Sequence, residues 1–462
     1  MSDTIAALSS APGKAGIAVV RVSGDDAIAV TKRVFTPLSG DLDRSRDRSA
    51  AYGAFCDTDG RRFDTGLVTC FFAPRSYTGE DTAELSLHGS PVGVSTLLAA
   101  LYACGARPAL PGEFTRRAFS AGKLDLTQAE AVGALLDAQT AAELRLSASQ
   151  LDGTLGKAVR KQSDRLKAML AAVYAYIDYP DEDMSDMTDD EIKREIAAVA
   201  ADLRTLHATY AGGMAVTKGV DTVIAGLPNT GKSTLFNRLA GADRAIVTDV
   251  AGTTRDVLRE TVLIGDIKLR LADTAGLRET DETVERIGVA RTKEALEESK
   301  LILALVDASS PASKEETAFL RSLLPYRGQK YIVVVLNKAD KADEETLAKR
   351  KTAVESMGLT ETVVLSAKSG DLCVLERALQ TLFPVSGEEL EQGLVLVNAR
   401  QYAAVSKALA ALDRALVALD TLTRDVAGFD LEEALGALEE ADGRTVSSSV
   451  VDEIFSRFCV GK

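Results

Sequence analysis

Histidine is nearly missing from this chain: His88 and His207 are the only two in 462 residues. That excludes a multi-histidine metal site and leaves a Ser/His/Asp triad two candidates at most. Cysteine is sparse as well. The five (Cys56, Cys70, Cys104, Cys373, Cys459) are odd in number, widely spaced and without a CxxC pair, so neither a disulfide framework nor a zinc cluster is implied. A reducing cytoplasm fits that usage. No run approaches 18 uncharged apolar residues, and the opening MSDTIAALSSAPGKAGIAVV has no basic region ahead of an apolar core. A membrane span and a secretion signal are therefore not expected. Positive charge is in deficit: 54 Lys and Arg against 68 Asp and Glu give a net charge of −14, the wrong sign for a protein that coats nucleic acid non-specifically. Any contact with RNA must use local basic patches.

What remains is a globular composition, 46% hydrophobic and 26% charged, in a chain long enough for about three domains. Residues 1–122 mix β-rich runs such as Gly16–Val22 with Gly/Pro turns and predict an α+β domain. From Lys123 the sequence turns rich in Ala, Leu, Gln and Glu, which predicts long helices up to Tyr179-Pro180. Asp178 to Glu191 carries eight acids and no base and reads as a solvated loop. Ile192, Ile196, Val199, Leu203 and Leu206 form a helical stripe, and Val405, Leu409, Leu412, Leu416 and Leu419 repeat its 4, 3, 4, 3 spacing. The two stripes suggest one helical domain, 123–212 and 388–462, split by an insertion; each could instead cover a neighbouring domain. Within the insertion, 213–387, candidate strands 221–225, 268–272, 301–306, 331–336 and 362–365 alternate with helical patterns. This predicts a mostly parallel α/β sheet whose ligands bind beyond the carboxyl ends of its strands.

The chemistry-bearing residues fall at those ends. Gly226-Leu-Pro-Asn229-Thr230-Gly231-Lys232-Ser233 completes the G-x-x-x-x-G-K-S phosphate loop between a strand and a helix, with Thr234 next in line. Glycines let backbone N–H groups turn toward phosphate oxygens, Lys232 reaches the β- and γ-phosphates, and Ser233 offers a hydroxyl to Mg²⁺. Asp273-Thr274-Ala275-Gly276 suits Mg²⁺ through water and γ-phosphate sensing through the Gly276 N–H. Asn337-Lys338-Ala339-Asp340 selects GTP over ATP, because a carboxylate can accept both edge donors of guanine. The N–H groups of Ser366-Ala367-Lys368 could meet the guanine carbonyl. In order, these elements resemble the guanine-nucleotide-binding domain of GTPases. Leu277 occupies the place where Ras-like members carry a water-orienting glutamine, so another polar group must serve. The loop 245–256 can give Thr254 to Mg²⁺ and carbonyls to a second, monovalent cation, which Asn229 can share.

Taken with TDVAGTTRD, DTAGLRE and the terminal Phe458-Cys459-Val460-Gly461-Lys462, these motifs make the chain resemble the MnmE (TrmE) family of bacterial tRNA modification GTPases. The likeness runs nearly the full length, through Arg21-Val-Ser-Gly24, Tyr77-Thr-Gly-Glu-Asp81, Pro111-Gly-Glu-Phe114 and Lys123-Leu-Asp-Leu126. It implies a cytoplasmic P-loop GTPase domain inserted into a discontinuous helical domain, preceded by an α+β domain that dimerises and binds folate. It also implies modification of C5 of the wobble uridine of tRNA with an FAD-containing partner, MnmG (GidA), in a heterotetramer or larger complex. The one-carbon donor would be a 5-formyl- or 5,10-methylene-tetrahydrofolate, contacted by Arg21, Glu84, Lys123 and Lys462. K⁺ would be ligated by Asn229, Thr248, Val250 and Thr253, and Mg²⁺ by Ser233 and Thr254. Glu285 matches the glutamate that orients the attacking water, although without the resemblance it reads as an exposed helix acid. Cys459 could add covalently to a uridine ring, act in redox chemistry or position folate, or be a thiol in an apolar tail. Rival readings are a GTPase switch in ribosome assembly and a folate C1-transferase with a regulatory GTPase domain.

Overall fold

The structure is a computed structural model, and it describes residues 3–178, 187–241, 260–272, 295–369, 372–384 and 387–462. The chain divides into two compact units: Met1–Leu136 with Gln150–Thr188 and Val417–Lys462, and Asp137–Ser149 with Asp189–Leu416.

The first unit holds a seven-stranded sheet built from β1 (Ile5–Leu8), β2 (Ala15–Ser23), β3 (Phe35–Pro37), β4 (Ala50–Cys56), β5 (Arg62–Phe71), β6 (Thr82–Gly89) and β7 (Arg107–Pro108), in the order β3-β4-β5-β6-β2-β1-β7. Its pairs are antiparallel except β1 with β7. Alternation decides the two faces. Val20 and Val22 of β2, with Leu85 of β6 and Val68 of β5, point under the helices Ala27–Val34 and Pro91–Ala103 and pack on Val30, Val34, Leu97 and Leu101. The intervening Arg21 points to the other face, where Ile5, Ala7, Ala109, Phe114 and Tyr77 form a smaller cluster.

The expected helical run from Lys123 is three helices, Leu126–Asp137, Ala141–Leu151 and Thr154–Asp178. Gly153, at φ +79°, interrupts it, and so does Thr140, whose hydroxyl oxygen accepts the Glu143 N–H at 3.0 Å as an N-terminal cap. In the first unit, helix Thr154–Asp178 packs along helix Arg424–Asp442, and Gly428 gives the Val173 side chain room to approach. The last residues return to the sheet domain. Val460 bridges Pro111, the Phe114 N–H donates to the Lys462 carbonyl at 3.2 Å, and Ser9 Oγ donates to the Gly461 carbonyl at 3.0 Å. Gly461 sits at φ +98° and a Cβ there would lie 2.1 Å from the Leu8 carbonyl, so only glycine fits.

The second unit contains the expected parallel sheet: β8 (Val220–Gly226), β10 (Ile267–Leu271), β11 (Leu301–Asp307), β12 (Tyr331–Asn337) and β13 (Thr362–Val364). An additional strand, β9 (Glu260–Ile264), pairs antiparallel with β10 through a Gly265-Asp266 turn, making the order β13-β12-β11-β8-β10-β9. Helices Lys232–Ala240 and Cys373–Leu382 cover one face, and Lys314–Leu323 and Glu344–Ser356 the other. A buried pair, Lys268 with Glu143 at 2.8 Å, ties Ala141–Leu151 to β10; removing one partner would cost about 3–5 kcal/mol through the charge left uncompensated.

Helix Asp189–Ala208 meets helix Ala399–Thr421 through Arg204 and Asp413 at 2.6 Å and through the His207 ring stacked on Tyr402 at 4.4 Å. The buried stripe of the latter helix is rotated from the expected leucines. Ala404, Ala408, Ala411, Ala415 and Ala418 lie inside with Val405 and Leu412, while Leu409, Leu416 and Leu419 are half-buried. Small residues at that spacing permit close helix approach, which the leucine pattern alone does not reveal.

Candidate functional site

Candidate groups gather in two places, one in each unit. In the second unit the phosphate loop leaves β8 at Gly226, where a Cβ would lie 2.5 Å from the Leu305 carbonyl of the neighbouring strand. Asn229 at φ +63° and Gly231 at φ +98° turn the loop into the helix that starts at Lys232. Lys232 Nζ donates to the carbonyls of Gly226 and Leu227, both at 2.9 Å. Burial pushes its ammonium below the ordinary lysine value. A half-buried cation held by the loop's own carbonyl dipoles suits an incoming phosphate. Ser233 is half-buried and Thr234 exposed in the first helical turn, and Thr230 Oγ1 donates to the Leu227 carbonyl at 2.9 Å.

The β12 end locks onto this loop. Asn337 is buried; its Nδ2 donates to the Thr230 carbonyl and its Oδ1 accepts the Ala367 N–H, both at 2.8 Å. One side chain therefore joins the phosphate loop to the Ser366-Ala367-Lys368 segment. The Ala367 N–H, expected to meet a guanine carbonyl, is engaged by Asn337 here. Lys338, at φ +63°, donates to the Asn229 carbonyl at 2.7 Å and to Asp307 Oδ2 at 2.6 Å. Burial opposes the Asp307 carboxylate, but hydrogen bonds from Lys338 and Ser309 outweigh it and hold its carboxyl below the usual range. Asp307 was not among the sequence candidates, although its place as the last residue of β11, at the carboxyl end of a parallel strand, was available as a signal. Asp340 is exposed, with its carboxyl held low by the Ser366 hydroxyl, and Lys368 is exposed beyond the buried Ser366 and Ala367. Thr248, Val250, Thr253, Thr254, Asp273, Thr274, Ala275, Gly276, Leu277 and Glu285 lie outside the described residues.

In the first unit the β2/β6 register sets Arg21 opposite Glu84. Their side chains pair at 2.9 Å, and the guanidinium lies over the rings of Tyr77 and Phe114 at 5.3 and 5.6 Å. Lys462 joins them. Burial lowers its ammonium, the charge of Arg21 lowers it further, and Glu84 opposes. Lys123 is not part of this contact; its Nζ donates to the Pro74 carbonyl at 2.9 Å, on the loop that carries Tyr77. Cys459 is exposed, three positions before Lys462 in the docked tail. Tyr77 and Phe114 shape the Arg21 environment yet were seen in the sequence only as parts of turn motifs. The described residues hold no cluster of three or more His, Cys, Asp or Glu able to bind a metal, and no helix among them is long and apolar enough to cross a membrane.

Comparison with known proteins covers the whole chain. The model for the GTP-binding protein TrmE N-terminus matches residues 4–123, and that for the MnmE helical domain matches 126–459. The tRNA modification GTPase MnmE of Symbiobacterium thermophilum is 40% identical, with 100% of this chain and 99% of that protein covered. The protein of the same name from Acetivibrio thermocellus is 34% identical over the same shares of the two chains, 100% and 99%. Among solved structures, Aquifex aeolicus Era bound to GDP and aluminium fluoride is 27% identical over 41% of this chain and 65% of that chain, with a TM-score of 0.28. The FeoB G-domain of Methanococcus jannaschii is 23% identical over 36% of this chain and 96% of its own, with a TM-score of 0.25.

Proposed function

The chain belongs to the MnmE family of tRNA modification GTPases, and from that premise we propose that, with an FAD-containing partner of the MnmG kind, it modifies C5 of the wobble uridine of certain tRNAs. It is a GTPase of tRNA modification. The group added is of the carboxymethylaminomethyl type, its carbon comes from 5-formyl- or 5,10-methylene-tetrahydrofolate, and hydrolysis is K⁺-activated and Mg²⁺-dependent in a cytoplasmic homodimer.

The observation that carries this reading is the meeting of Arg21, Glu84 and Lys462 beside a docked tail that also holds Cys459. Two cations suit the carboxylates of a folate, and Glu84 can accept from pterin N–H groups. Lys123 borders the same loop as Tyr77 and adds a further cation at its margin. Self-association is supported by Tyr52 and Leu67, cross-strand partners on β4 and β5 that are 53% and 44% exposed.

In the second unit Lys232 exchanges two carbonyl partners for phosphate oxygens, and Ser233 is available to Mg²⁺. Bound Mg²⁺ would supply charge neutralisation at the phosphates. The Asn229 carbonyl is taken by Lys338, which leaves its side-chain amide for a monovalent cation. Lys338 and Asn337 brace the loop backbone, so the reorganisation on binding falls mainly on Lys232. In this reading Glu285 orients the attacking water where Leu277 cannot, and Thr248, Val250, Thr253 and Thr254 complete the two cation shells.

The test is steady-state GTP turnover in KCl against NaCl at equal ionic strength with Mg²⁺ fixed. Acceleration by K⁺ that disappears in Asn229→Ala is expected. Equal slow rates in both salts, or an Asn229→Ala or Glu285→Ala variant with wild-type K⁺ response, would overturn the corresponding assignment.

A further inference from the structure

The net charge of −14 makes a local excess of cations informative. Helix Thr154–Asp178 carries Lys157, Arg160, Lys161, Arg165 and Lys167 in its first fourteen residues against one acid, Asp164. Lys157, Arg160 and Lys161 are exposed and stand at i, i+3 and i+4, on one face. Their compensation is slight: among the described residues Lys157 Nζ donates to the Asp152 carbonyl at 3.1 Å, and Arg160 lies 3.9 Å from Asp442. Lys157 and Arg160, with Arg444 and Phe119, line a cavity of about 350 Å³ within the first unit.

The cavity's acids are already engaged. Asp442 is fully buried and takes Arg444 Nε at 2.8 Å, and Asp125 accepts the Thr127 hydroxyl at 2.6 Å and the Gln128 N–H at 2.9 Å. The donors with unused capacity are thus Lys157 and Arg160, so the cavity mouth selects an anion over a metal cation or a base edge. Phe119, on its wall, packs on Phe455 at 6.2 Å between ring centroids, and Phe455 on Phe458 at 5.4 Å, the residue before Cys459. Gly122, also lining it, precedes Lys123.

We propose that the Lys157, Arg160 and Lys161 face and the cavity it borders form the docking site for backbone phosphates of tRNA. This rests on the tRNA modification reading above. The continuity with the Phe455–Phe458 segment would hold the RNA next to the tail that bears Cys459. The shared chemistry is a phosphate oxyanion, and the test separates an RNA phosphodiester from free phosphate.

The experiment measures binding of labelled tRNA to the full-length chain between 50 and 200 mM KCl, wild type against Lys157→Gln/Arg160→Gln/Lys161→Gln, with inorganic phosphate as a competing probe. Three lost phosphate contacts should weaken binding by roughly tenfold or more and reduce the slope of log affinity against log salt by about 2 to 3. Basal GTP turnover and melting temperature should stay at wild-type values, and Lys157→Arg/Lys161→Arg should retain binding. Unchanged affinity and slope in the triple variant overturn the site while leaving the tRNA reading intact. Charge-dependent binding of inorganic phosphate there with unaltered tRNA affinity also overturns it, in favour of a small anion. A wild-type chain that does not bind tRNA sinks both this site and the reading it rests on.

Discussion

The nucleotide loops of the second unit take most of their geometry from backbone at the carboxyl ends of adjacent parallel strands, with Asn337 and Lys338 as braces. The Arg21 cluster of the first unit is made of side chains from two antiparallel strands and from the last residue of the chain. A site made by backbone demands glycine and a few small or amide residues in contiguous order, and it tolerates little change. A site made by side chains needs only that distant charges arrive together, so it depends on whatever docks the chain terminus. The difference teaches that the two should fail separately and in different ways.

Lys232→Ala gives the largest separation. GTP turnover should fall by about 10²–10³-fold, as expected for losing a preorganised charged donor to phosphate, while tetrahydrofolate binding measured by calorimetry stays unchanged. Parallel loss of both would dissolve the comparison. Gly461→Ala tests the other side: a left-handed residue with its Cβ 2.1 Å from the Leu8 carbonyl cannot keep the tail docked. An effect of about 1–3 kcal/mol on the stability of the first unit is expected, read by thermal melting and by faster hydrogen exchange at the Phe114 N–H, with GTP turnover intact.

Glu84→Gln sharpens the contrast further. It removes the carboxylate that pairs with Arg21, and folate affinity should drop by about tenfold for a lost charge-assisted hydrogen bond, with no change in nucleotide binding. A smaller effect concerns pH. Burial holds the folded-state ammonium of Lys232 below its ordinary 10.5, so unfolding takes up a proton between the lowered value and 10.5. Stability of the nucleotide-free second unit therefore rises with pH through that window and falls as pH drops through the folded value. Melting curves taken up to pH 10.5 should show that gain in the wild type and a flatter trend in Lys232→Met. The mildest test uses thiols: Cys459 and Cys373, both exposed, should react first with an aromatic disulfide reagent. Cys70, whose thiol burial pushes up to about 11, should react only on unfolding.

The central strands β11 and β12 were legible as near-unbroken apolar runs and β10 as an apolar/polar alternation, and the five expected strands match β8, β10, β11, β12 and β13 to within a residue or so at each end. Strand β9 escaped although Gly265-Asp266 is a hairpin signal, because its Glu260-Thr-Val-Leu-Ile264 run is short and adjoins a stretch of sequence rich in polar residues. The helix Ala399–Thr421 was legible as a helix but not in which side it buries, since alanines carry no hydrophobic weight in a leucine stripe and are chosen only by how closely a neighbour approaches. Asp307, bonded by Lys338 and Ser309, and Tyr77, beside Arg21 and Thr115, belong to no spaced motif; for Asp307 only its place at the carboxyl end of β11 could have drawn attention.

By itself, then, the sequence determined the phosphate loop, the guanine-type motif and the order of the parallel strands, because each is a local rule: glycine where φ must be positive, apolar residues where strands are buried. Only the tertiary structure decided that Arg21 faces Glu84 with Lys462 beside them, that Asn337 clamps the Thr230 carbonyl to the Ala367 N–H, and that Lys157 and Arg160 line one cavity. Those are pairings between residues far apart in the chain, and the energy that selects them comes from burying the surfaces around them, which no local pattern encodes.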